Sequence, residues 1–124
     1  MLSDARYEAA LPCSNLDRAK SFYADRLGLT PADEQPAGAL YSGRDGTRFL
    51  LFPSSGAASG SHTQMAFRVT DIESEVRDLQ RRGVTFEEYE TPKTVDGIAT
   101  IPIGRTAWFR DPDGNLIGMI QFNT

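Results

Sequence analysis

A chain of 124 residues has room for one domain, and 40% hydrophobic with 24% charged residues is the balance of an ordinary globular protein. Seventeen acidic residues against thirteen basic ones, the latter scattered apart from Arg81 and Arg82, exclude the clustered positive field that nucleic acid requires. No apolar run approaches the roughly 20 residues needed to cross a bilayer, so a membrane role is excluded as well. Residues 1–6 lack the layout of a secretion signal, and the single Cys13 cannot form an internal disulfide, which together predict a cytoplasmic protein.

Tyr7 to Cys13 is short and apolar and reads as a buried strand. Ser14-Asn15 offers a helix N-cap, and Leu16, Ala19, Phe22, Tyr23 and Leu27 recur at helical spacing until Gly28 stops the pattern. Short strands follow, with Ala39-Leu40-Tyr41 and Arg48 to Phe52 flanking a turn at Gly43-Arg44-Asp45-Gly46. Ser54 to Ser61 has linker composition. After it the pattern restarts: a strand at Thr63 to Val69, a cap at Thr70-Asp71, a helix through Ile72, Val76 and Leu79 to Gly83, and a strand at Val84 to Tyr89. Thr91 to Pro102 reads as a loop with one short extended piece, a candidate flap. Thr106 to Arg110 and Leu116 to Phe122, joined by Asp111-Pro112-Asp113-Gly114-Asn115, make a closing hairpin. Phe22, Leu27, Val76 and Leu79 are expected to be buried under the helices.

The restart is a duplication. Ser14-Asn15-Leu16-Asp17 aligns with Thr70-Asp71-Ile72-Glu73 at an offset of 56 (70 − 14), and Asp45-Gly46 aligns with Asp113-Gly114 at 68 (113 − 45). The parse is a single α+β domain of two strand-helix-three-strand modules, at about 5–53 and about 62–124, with a linker at 54–61. A ferredoxin-like repeat has one strand too few in each half.

These phrases resemble the vicinal oxygen chelate superfamily, the glyoxalase, bleomycin resistance protein and extradiol dioxygenase group. The matching residues are Leu11-Pro12-Cys13-Ser14-Asn15-Leu16-Asp17-Arg18-Ala19 with Phe22-Tyr23 and Leu27-Gly28, then Ala66-Phe67-Arg68-Val69-Thr70-Asp71-Ile72. The strongest is Phe109-Arg110-Asp111-Pro112-Asp113-Gly114-Asn115-Leu116-Ile117. The resemblance implies two βαβββ modules forming a cupped mixed sheet with helices on its convex side. It implies no single activity, since the group spans isomerases, lyases, dioxygenases and drug-sequestering proteins. It also implies a homodimer, because the cup walls of such proteins are commonly completed by a partner chain.

Carried over residue by residue, the positions that hold a divalent metal in catalytic members are Glu8, Leu50, Gln64 and Gly118. Leu50 offers no lone pair, and Gly118 offers only a carbonyl that a strand commits to its ladder. No cofactor is therefore expected. Face alternation predicts a ligand pocket lined by Glu8, Leu50, Phe52, Gln64, Ala66, Trp108, Gly118 and Ile120, to which Tyr41 adds aromatic surface, with Phe109 turned inward under a helix beside Ile117 and Met119. Glu8 is the candidate catalytic base, since a desolvated carboxylate acquires a raised pKa, and pairing with a neighbour such as Arg48, Arg68 or Arg110 is the competing reading. His62, the only histidine, falls beside the linker at an exposed rim.

The sequence thus points to a small-molecule binding protein without the usual metal, one that sequesters a drug or metabolite. The alternative is a lyase, isomerase or dioxygenase-type enzyme that uses Glu8 as base, or holds zinc, nickel, manganese or iron through Glu8, Gln64 and His62.

Overall fold

The computed structural model describes residues 1–123; Thr124, the predicted end of the second module, lies outside them. The first module contains β1 (Ala9–Cys13), α1 (Leu16–Leu27), β2 (Asp33–Gln35), β3 (Gly38–Ser42) and β4 (Arg48–Pro53). The second contains β5 (Thr63–Arg68), α2 (Ile72–Arg81), β6 (Thr94–Val95), β7 (Ile98–Ile101), β8 (Gly104–Arg110) and β9 (Leu116–Phe122). They form two mixed sheets, ordered β1-β4-β3-β2 and β5-β9-β8-β7-β6. In each, the strand before the helix runs parallel to the last strand of its module, a pairing that requires a crossover, and the helix supplies it.

Local chemistry sets the helix ends. The Asn15 side chain accepts from the Arg18 amide, Asp71 does the same for Ser74, and Gly28 closes α1 at φ +72°. The duplication persists in the pairing. Ala10 lies opposite Leu50 and Ala66 opposite Gly118, which reproduces both offsets (66 − 10 = 56; 118 − 50 = 68).

Each helix covers one face of its sheet, and the inner faces of both modules contribute to one hydrophobic core. On α2, Val76 and Leu79 are buried as expected. On α1 the expectation is corrected: Ala19 and Tyr23 are the buried pair, while Phe22 and Leu27 are half-buried. Tyr23 takes this place because its ring meets Tyr41 and Phe49 at 5.7 and 5.8 Å and its hydroxyl finds a buried carboxylate.

Two further expectations change. Residues 84–89 form no ladder strand, only a bridge from Phe86 to Phe109, because β7 already occupies the neighbouring edge of β8 as far as Ala107. The candidate flap is instead the β6–β7 hairpin, which adds a fifth strand to the second sheet. Its turn places Asp96 and Gly97 at φ +53° and +81°, the left-handed pair that tight hairpins require. No helix among the described residues is long and apolar enough to cross a membrane.

Candidate functional site

The face of each sheet opposite its helix carries no helix among the described residues. In the first sheet, Leu11, Tyr41, Phe49 and Leu51 point under α1, so the alternate positions Ala10, Leu40, Leu50 and Phe52 form the outer face. Ala10 is exposed and the other three are half-buried. In the second sheet, Ala107, Phe109, Ile117 and Met119 are buried on the helix side, leaving Ala66, Trp108, Gly118 and Ile120 outward. Phe109, Ile117 and Met119 thus lie together as expected.

Three of these positions, Ala66, Trp108 and Gly118, converge tightly with Thr63. A Cβ at Gly118 would stand 3.2 Å from Thr63 Cγ2, 3.5 Å from Ala66 Cβ and 3.6 Å from Trp108 Cδ1. Gly118 is accordingly buried, and its lack of a side chain lets the indole close down onto β9. Trp108 is held in place from two sides: its Nε1 donates to Thr63 Oγ1 at 3.0 Å, and the Tyr89 ring meets it edge-on at 5.5 Å. Fixing a large aromatic before a ligand arrives removes rotamer entropy that binding would otherwise cost.

Other expected site residues sit differently. Tyr41 is corrected: it is 2% exposed on the inner face, stacked on Phe49 at 4.7 Å, and cannot line an outer-face pocket. Burial, then the nearby Glu34 and Cys13, push its hydroxyl up to about 12. For Glu8 the geometry is that of the competing reading. The residue precedes β1, is exposed rather than enclosed by apolar side chains, and its Oε1 lies 3.2 Å from Arg48 Nε. Gln64 falls at a bulge between Thr63 and Met65, so the pairing slips there, and Thr63 stands opposite Leu116. His62 is exposed, with Nδ1 3.3 Å from Ser59 Oγ. The set divides: Leu50 and Phe52 belong to one sheet, with Glu8 just before its first strand, Ala66, Trp108, Gly118 and Ile120 belong to the other, and no strand pair among the described residues joins the two.

The model of the Glyoxalase/Bleomycin resistance protein/Dioxygenase superfamily matches residues 7–119. The chain belongs to that superfamily. The uncharacterized protein YurT of Bacillus subtilis (strain 168) is 31% identical over 121 residues, which covers 85% of this chain and 89% of YurT. Among solved structures, TnmS3, an antibiotic binding protein from Streptomyces sp. CB03234, is 27% identical with a TM-score of 0.74, covering 97% of this chain and 98% of TnmS3. A glyoxalase/bleomycin resistance protein from the same Streptomyces strain is 28% identical with a TM-score of 0.70, covering 94% of this chain and all of that one.

The superfamily's metal positions can be judged on this chain's own side chains. Leu50 is hydrocarbon, Gly118 has no side chain, Glu8 is engaged by a guanidinium, and Gln64 sits at the bulge. Among the described residues no three His, Cys, Asp or Glu side chains gather to hold a metal. This donor set does not fit a tightly held divalent ion, which needs several oxygen or nitrogen ligands at once.

The phrase that marked the superfamily most strongly proves structural. Asp111, 5% exposed, accepts the Tyr23 hydroxyl at 2.9 Å and the Asn115 side-chain amide at 2.7 Å on Oδ2, and the backbone N–H groups of Asp113 and Asn115 on Oδ1. Asn115 also donates to the Pro12 carbonyl, and Asp113 Oδ1 accepts from the amide and hydroxyl of Ser14. The closing turn thus bolts the second module onto β1 and α1 of the first. Burial first, then the Asp111 charge, drives the Tyr23 hydroxyl far above the ordinary tyrosine range. Cys13 lies beneath, buried, its thiol raised by burial and then by Asp113 and Asp111.

Two outer-face residues escape a reading by motif. Leu40 occupies the place of Trp108 at the offset of 68 (108 − 40), and both stand opposite the outer-face residue of the last strand. The internal repeat carries that signal. Thr63 as the partner of Trp108 had none, because the bulge that turns it onto the outer face is not written in the residue types.

Proposed function

We propose that this chain is a small-molecule binding protein that retains a flat drug or metabolite and works without a divalent metal. The observation that carries the reading is the braced, half-buried Trp108 on the sheet face that carries no helix. A planar ring lying on that face would stack on the indole, with Ala66 and Ile120 as apolar borders. Similarity to an antibiotic binding protein at 27% identity supports a sequestered antibiotic as the ligand class. The paired Glu8 supports retention over turnover, since a carboxylate held by Arg48 is poorly placed to take a proton from a ligand.

A second copy of the chain completes the pocket in this proposal. Leu40, Leu50 and Phe52 form a matching apolar face on the first sheet, and β1 and β5 each end a sheet with one edge unpaired within it. A two-fold axis that sets the first sheet of one protomer against the second sheet of its partner would cover both faces and make two equal pockets. A cytoplasmic setting suits the unpaired thiol of Cys13.

The test joins metal analysis to thermal shift. Protein purified without added metal should contain far less than one zinc, nickel, manganese or iron per chain. Polycyclic aromatic antibiotics should raise its melting temperature equally with and without a chelator. Near-stoichiometric metal, or stabilisation that the chelator abolishes, would overturn the proposal.

A further inference from the structure

A second concavity lies on the other side of the sheets, between the modules. Its volume is about 760 Å³, within the range that small-molecule sites occupy. Phe49 of the first module and Phe67 of the second meet edge to face at 6.2 Å to form its floor, with Leu29 and Met65 beside them. None of the residues that brace Trp108 lines it.

Its charge is opposite to that of the chain. The protein carries −4 overall, yet Arg44, Arg48 and Arg68 border this cleft against a single carboxylate, Asp45. Glu8 engages Arg48. Arg44 and Arg68 have no carboxylate within ion-pair distance among the described residues, although most arginines of the chain do. Arg68 lies over the Phe122 ring at 4.8 Å, on the face of Ile120, so its guanidinium turns away from the cleft and Arg44 is left as the unpaired head. Arg6 reinforces the same end by donating to the Gly46 carbonyl in the turn that carries Arg44.

An apolar floor built by both modules, with the unneutralised Arg44 guanidinium at its border, selects a molecule that has an apolar body and an anionic head. We propose that this cleft is a second ligand site that takes an amphipathic carboxylate, its chain on Phe49 and Phe67 and its head on Arg44. The guanidinium fork matches a carboxylate geometrically, and the charge-assisted bonds supply discrimination against a neutral analogue of the same length. Ala66 lines this cleft as well as bordering the outer-face pocket, but Phe49, Phe67 and Arg44 have no part in the latter, so the two sites are tested separately.

Two resonances separate the sites. Met65 lines the cleft, and its methyl can be labelled with carbon-13; the indole N–H of Trp108, the only tryptophan, reports the outer face. Titration of the intact protein with decanoate should shift the Met65 methyl saturably and leave the Trp108 signal in place. Decanol should bind roughly tenfold more weakly, the difference expected for one charge-assisted contact. Arg44→Glu, on an exposed turn, should lower decanoate affinity to the decanol level without changing the melting temperature. The proposal fails if decanoate leaves Met65 unmoved or shifts Trp108 instead. It fails equally if decanol binds as tightly as decanoate, or if Arg44→Glu binds decanoate like the unaltered protein.

Discussion

Tyr23→Phe removes one oxygen from the bolt between the modules and leaves the packing of the ring intact. The lost bond is buried and ends on a carboxylate, a class worth about 1.5–3 kcal/mol. Asp111 keeps its bonds from the Asn115 side chain and from two backbone amides, so the carboxylate is not stranded and a loss near 2 kcal/mol is expected. For a chain of this size that lowers the melting temperature by roughly 6–10 °C. The pH dependence supplies a second readout. Tyrosine in the unfolded chain ionises near pH 10, whereas Tyr23 in the folded protein holds its proton well beyond that. The folded state then binds more protons than the unfolded one, so stability is full below about pH 10 and falls as pH rises. The phenylalanine variant lacks this loss, and its deficit in calorimetric melts should shrink between about pH 10 and 11. A melting temperature within about 2 °C of the unaltered protein at pH 7, or a deficit that stays constant with pH, would show that the bolt contributes little.

Tyr41→Phe should be neutral or slightly stabilising in the same melts, because its hydroxyl is buried without a partner and its removal relieves an unsatisfied group. It should also flatten the alkaline decline between about pH 10 and the pH of about 12 to which burial pushes this hydroxyl. Thr63→Val keeps the side-chain shape but removes the acceptor of the Trp108 N–H; a cost of about 1 kcal/mol and a red-shifted, broadened tryptophan emission are expected. Cys13 should resist a thiol reagent at pH 8 until the protein unfolds, since it is fully buried and its thiol is raised by burial and two aspartates; rapid native labelling would contradict the burial.

The duplication was the most informative feature of the sequence. Its two offsets carry directly into the strand pairing of Ala10 with Leu50 and of Ala66 with Gly118, because each module repeats the same parallel crossover. The same offsets place Tyr41 on Phe109 and Tyr23 on Leu79 (109 − 41 = 68; 79 − 23 = 56), which marks both tyrosines as inward. Helical spacing alone favoured Phe22 over Tyr23, and aromatic character alone favoured Tyr41 for a pocket. Both choices fail because a tyrosine is buried readily when its ring stacks, as Tyr41 does, or its hydroxyl finds a carboxylate, as Tyr23 does. The β6–β7 hairpin had a local signal in Asp96-Gly97, obscured by the prolines on either side. The bulge at Gln64 was not legible, since it depends on how two strands meet in space rather than on spacing within either one; the Glu8 to Arg48 pair was legible as one of three arginine pairings open to Glu8.

Trp108 gives the central claim a direct measurement, because as the only tryptophan it alone contributes indole emission. Titration with polycyclic aromatic antibiotics should quench that emission saturably at one ligand per chain, and Trp108→Ala, which removes the stacking surface from a half-buried position, should lose most of the calorimetric affinity while the protein stays folded. A ligand that stabilises the protein yet leaves Trp108 emission unchanged, or that binds Trp108→Ala as well as the unaltered chain, would place the binding site elsewhere.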